Sequence, residues 1–140
     1  MPKLIPSLRV IRRTLECEIA YTASRMAVLE RIPGNPVGIA LRRLDGGAVA
    51  LMARHLPVPG FNSVVGLRAG HEQQIESLLA WYGAAGVRPQ LETVPGYYDP
   101  ALGRELARLR YYQSGFHTSL VCEPDLVPPA GPLDSRASAR

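Results

Sequence analysis

The residues best placed to do chemistry lie in a glycine-bounded run, Gly66-Leu67-Arg68-Ala69-Gly70-His71. Glycine lets backbone approach a ligand, and the N–H groups that open a helix are unpaired at the positive end of its dipole. A turn of this kind suits phosphate, with Arg68 adding a charge-assisted contact. The same turn also joins strand to helix in domains that hold no ligand. Tyr111, Tyr112 and His117 cluster further on, where a helix should meet a strand, and offer acid–base chemistry. Strand alternation sets His117 opposite Phe116, which is the pattern of a half-exposed strand histidine. Glu92 suits a base for an amine, although a salt-bridged strand carboxylate is the commoner outcome for such a residue. His55 and His71 read as surface or turn residues rather than ligands; Trp81 is most economically core. Three histidines and the distant Cys17 and Cys122 show no metal-ligand spacing, and no nucleophile elbow supports a Ser/His/Asp hydrolase.

These groups need elements to hold them. Leu15, Ile19, Ala23, Met26 and Leu29 recur at three or four residues, which predicts an amphipathic helix over 14–31, stopped by Ile32-Pro33-Gly34-Asn35-Pro36. Val37–Leu44 and Ala48–His55 flank Asp45-Gly46-Gly47 and read as a β-hairpin, although 49–56 alone would also fit a short helix. Phe61–Leu67 is the next strand. Gly70–Tyr82 is a helix with Ile75, Leu78, Leu79 and Tyr82 on its inner stripe. Val87–Val94 is a strand whose Pro89 suggests an edge or an early position. Asp99-Pro100 pairs an N-cap acceptor with proline at the first helical position, and Leu102, Leu106 and Leu109 form that helix's inner face. Gly115–Cys122 is read as the last strand. The fold class is therefore α/β (α+β), a helix, then a hairpin, then β-α-β-α-β around a mixed sheet. The expected layout is an extension over 1–13, one domain over 14–122 and a Pro-rich tail or linker over 123–140.

Length and composition agree with a single globular domain of 140 residues, 46% hydrophobic and 20% charged. The formal charge is +4, but Lys3 is the lone lysine among 16 basic residues and the arginines are scattered. That balance favours anionic ligands without selecting one, and no aromatic-plus-basic stripe points to nucleic acid. No export signal or membrane-length apolar run is present, so the expected address is the cytoplasm, with reduced thiols.

From about Val37 to Val121 the order of elements resembles the GNAT-type N-acetyltransferases. In that family a hairpin precedes a strand that leads into an Arg/Gln-x-x-Gly-x-Gly/Ala loop and a helix. The stretch Leu106-Ala107-Arg108-Leu109-Arg110-Tyr111-Tyr112-Gln113-Ser114-Gly115-Phe116 is similar to the family's passage from last helix to final strands. Cys17-Glu18-Ile19-Ala20-Tyr21, the run from Glu30 to Pro36, and the run from Pro95 to Leu106 look like a bacterial subset of GNAT-like proteins whose chains usually continue into a further acetyltransferase-like portion. The resemblance implies acetyl-CoA as cofactor. Its pantetheine would lie along Val65, Gly66 and Leu67, its pyrophosphate on Arg68, Ala69, Gly70 and His71, and an amine would attack the thioester. The departures are specific. Arg68-Ala69-Gly70-His71 stands where the loop belongs but lacks its spacing. The literal pattern falls instead at Arg43-Leu44-Asp45-Gly46-Gly47-Ala48, inside the hairpin. Leu106 occupies the place of the family's proton-donating tyrosine, and Arg110 replaces the glycine of its Gly-Phe pair. The alternative is a non-catalytic GNAT-like half that serves as an interaction module, as a homodimer or against an acetyltransferase partner.

Overall fold

The computed structural model describes residues 7–56 and 58–116 of the chain. Helix α1 (Leu8–Glu30) begins six residues earlier than the apolar period suggested, because Ser7 caps it by accepting from Val10 N–H at 3.4 Å. Its first turns carry Arg9, Arg12 and Arg13 outward, and a solvated turn has no buried stripe to read. Residues 8–13 are therefore the first turns of α1.

Strands β1 (Ile39–Arg43) and β2 (Val49–Ala53) form the antiparallel hairpin, with Leu41 opposite Leu51. Of the second strand read over 48–55, Val49–Ala53 is strand while Arg54 and His55 form a turn, and its apolar run has a simple cause: β2 is covered on both faces. Val49, Leu51 and Ala53 pack with Ala23 and Met26 of α1 on one side. Ala50 and Met52 pack with Ile75, Leu78, Tyr82 and Leu102 on the other. A strand buried on both sides loses the polar alternation that marks a half-exposed one.

β3 (Ser63–Leu67) pairs antiparallel with β2, and β4 (Gln90–Thr93) pairs parallel with β3, giving the order β1-β2-β3-β4. Pro89 stands immediately before β4, which is an outer strand among the described residues. Between β3 and β4 lies α2 (Glu72–Ala84), and α3 (Pro100–Arg108) follows β4. Asp99 caps α3 through its carboxylate to Leu102 N–H at 2.8 Å, with proline next, as the residue types predict.

Both helices end in the same motif with different residues. After α2, Gly86 at φ +71 donates to Gly83 O, and Val87 N–H reaches back to Tyr82 O. After α3, Arg110 at φ +61 donates to Ala107 O, and Tyr111 N–H reaches Leu106 O. Each is a Schellman closure, which glycine enters freely and arginine enters under strain. Of the strand expected over 115–122, Gly115 and Phe116 are irregular; the remainder, with His117, Cys122 and the tail, lies outside the described residues.

Candidate functional site

The β3–α2 turn sits where the order of elements places it, and the N–H groups of Arg68, Gly70 and His71 are already engaged. His71 is the N-cap residue of α2 and is 1% exposed. Its Nε2 donates to Asp45 O at 2.8 Å, so in the neutral ring Nδ1 accepts from Arg68 N–H at 3.0 Å. The Glu72 carboxylate accepts from Gly70 N–H, at 2.9 and 3.2 Å to its two oxygens. His71 N–H bonds Arg68 O. Arg68 donates from its guanidinium to Gly46 O. Gln74 closes the same contact from α2, accepting from Asp45 N–H at 3.2 Å.

The two loops that the sequence sets up as rivals are thus in contact. The hairpin tip, holding Arg43 to Ala48, docks on the turn from Arg68 to His71. Gly46 makes this approach possible: its φ is +91, and a Cβ there would lie 2.8 Å from His71 Nε2. Beside the start of α2 stand the carbonyl oxygens of Asp45 and Gly46 and the Glu72 carboxylate, with the Arg68 guanidinium turned to Gly46 O. Glu72 also opens a shallow groove of about 210 Å³ lined by Gln73, Glu76, Glu105 and Arg108. Arg108 is bound to Glu76 and Glu105, and Glu105 is held below the ordinary carboxylate range by its bond to Arg108.

Glu92 occupies a telling register. Val64 pairs with Leu91 and Leu67 with Thr93, so β3 carries one extra residue and Glu92 faces the Val65–Gly66 bulge. Leu91 packs on the α2–α3 side, which by alternation turns Glu92 to the α1 side. There the Ile19 side chain sits 2.7 Å from where a Gly66 Cβ would stand. Tyr111 is half-buried, and burial raises its phenol pKa. Tyr112 is exposed, and His55 is exposed in the turn after β2. Among the described residues, no group of three His, Cys, Asp or Glu side chains is arranged for a metal ion, and no helix is long and apolar enough to cross a membrane.

Three buried polar groups escaped sequence reading as structural pins: His71, Asn62 and Tyr82. Asn62 accepts from Ala53 N–H at 2.9 Å and donates to Leu56 O at 2.9 Å. The Tyr82 hydroxyl donates to Leu51 O at 2.7 Å, with Ser63 O at 3.1 Å. The one usable signal was a phenol on an otherwise apolar helix stripe, since a buried hydroxyl requires a partner. A larger groove of about 380 Å³ runs between α1 and the hairpin, lined by Ile19, Ala20, Ala23, Ala27, Leu41 and Arg43 among others.

No protein-family model, curated protein or solved structure matches this chain.

Proposed function

We propose that this chain is a GNAT-like module that binds a protein partner and does not hold acetyl-CoA on its own. The observation that supports this is the use already made of the β3–α2 turn: Arg68 N–H and Gly70 N–H are taken by the side chains of His71 and Glu72, and Arg68 is committed to Gly46 O. A pyrophosphate would have to displace a carboxylate from Gly70 N–H and would still meet that carboxylate beside it. The partner surface is the α1 side, where Leu8, Tyr21 and Val28 stand exposed and the α1–hairpin groove is lined mostly by apolar side chains. The occupant is a second copy of this chain. Titration of the purified chain with acetyl-CoA by calorimetry should give no saturable heat up to millimolar ligand, and light scattering should report a dimer. Micromolar binding, or a clean monomer at high concentration, overturns the reading.

One observation favours a second reading, acetyl-CoA-dependent transfer to an amine. The β3 bulge at Val65–Gly66 leaves backbone off the regular ladder directly opposite Glu92. Amides near Val65 would polarise a thioester carbonyl laid along Val65 to Leu67, and Glu92 would take the amine proton. This reading requires binding that Arg68→Ala removes; Arg68 is the cleaner test, because His71 also holds the fold.

A further inference from the structure

Among the described residues β1 is an outer strand of the sheet, and the first of its outward-facing residues is bonded by a side chain. Arg54 N–H bonds Gly38 O and Leu44 N–H bonds Ala48 O. Residues 38, 40, 42 and 44 therefore turn their backbone groups toward β2, and Ile39, Leu41 and Arg43 turn theirs to the outer edge. Ile39 does not leave its groups open. Asn35 Oδ1 accepts from Ile39 N–H and Asn35 Nδ2 donates to Ile39 O, both at 2.8 Å. A side-chain amide presents one acceptor and one donor as a peptide unit does, so Asn35 occupies the place of a neighbouring strand. Its backbone, at φ +41 after Gly34, is a conformation asparagine tolerates better than most residues. What remains outward-facing runs from Leu41 to Arg43, roughly 10 Å of strand at 3.3 Å per residue, with the exposed Arg43 at its end.

We infer that Asn35 is an edge cap that prevents β1 from accepting a strand of a second copy of this chain. The module's partner then has to use another face, and sheet-to-sheet growth through β1 is suppressed. The inference stands apart from the coenzyme question, since it concerns a variant's gain of association and not the parent's ligand.

Asn35→Gly tests it, because glycine accepts φ +41 and removes only the amide. The expected result is exchange of the Ile39 amide at least tenfold faster in dilute protein. Concentrated protein should then sediment as species larger than the parent's, with Ile39 and Leu41 protected again. A folded Asn35→Gly chain that sediments like its parent at every concentration overturns the inference, and so does association that leaves the Ile39 and Leu41 amides exchanging as fast as in dilute protein. If the glycine variant fails to fold, Asn35→Asp retains the bond from Ile39 N–H while losing the donor. It should associate more than the parent, and parent-like sedimentation overturns the inference again.

Discussion

Replacing His71 by alanine separates a loop built to tie the fold together from one built to hold a ligand. The imidazole is almost fully enclosed and bridges the hairpin tip to the start of α2 through Asp45 O and Arg68 N–H. Losing two such hydrogen bonds costs about 2 kcal/mol net. Vacating a buried ring adds about 1–2 kcal/mol, because the surroundings close only in part. The total, about 3–4 kcal/mol, is a large share of a domain's stability. With a urea m-value near 1.5 kcal/mol/M, the unfolding midpoint falls by about 2 M. Trp81, the single tryptophan, packs against the α2–α3 core and reports the transition by fluorescence. Glu72→Gln is the control. It keeps an oxygen for Gly70 N–H at the partly exposed helix start, so it should shift stability by less than about 1 kcal/mol. If His71→Ala unfolds within about 0.5 kcal/mol of the parent, the reasoning that makes this histidine a pin is wrong.

Other outcomes follow from the same structure. Arg110→Gly should stabilise the chain by about 0.5–1 kcal/mol: the left-handed penalty disappears while the unfolded chain gains some freedom. Unfolding of that variant in urea checks it, and a loss of stability refutes the strain. Burial raises the Tyr82 phenol above its ordinary value of 10.0, so the folded state keeps that proton longer than the unfolded one. The contribution is complete below pH 10 and declines as pH rises beyond it, by at most about 1.4 kcal/mol per pH unit for one proton. Tyr82→Phe should lower stability at neutral pH by about 1–2 kcal/mol, for want of the bond to Leu51 O, and flatten the alkaline decline. Equal slopes above pH 10 in parent and variant would count against it.

Local chemistry made much of the architecture readable. The Asp99-Pro100 start of α3, the Asp45-Gly46-Gly47 turn and the stripe Ile75, Leu78, Tyr82 depend on neighbours within four residues, so residue types suffice to announce them. The helix start at Leu8 was hidden because its first turns face water, where no apolar period is enforced. The candidate site divides along the same line. That a glycine-bounded turn would connect β3 to α2 was legible, as was Glu92's place on the following strand. The register that sets Glu92 opposite the Val65–Gly66 bulge was not, since a one-residue irregularity leaves no mark on composition. Nor could the chain alone reveal that the Arg43–Ala48 turn docks on the Arg68–His71 turn. His71 meets Asp45 from 26 positions away, and the same holds for the Tyr82 hydroxyl on Leu51 O, 31 positions back. The amides of Arg68 and Gly70 are bonded by side chains only two or three residues on, whereas the far side of the His71 ring and the Arg68 guanidinium are held by the hairpin carbonyls of Asp45 and Gly46. Chain order determined where this turn would be, and tertiary packing decided that His71 and Arg68 tie it to the hairpin tip.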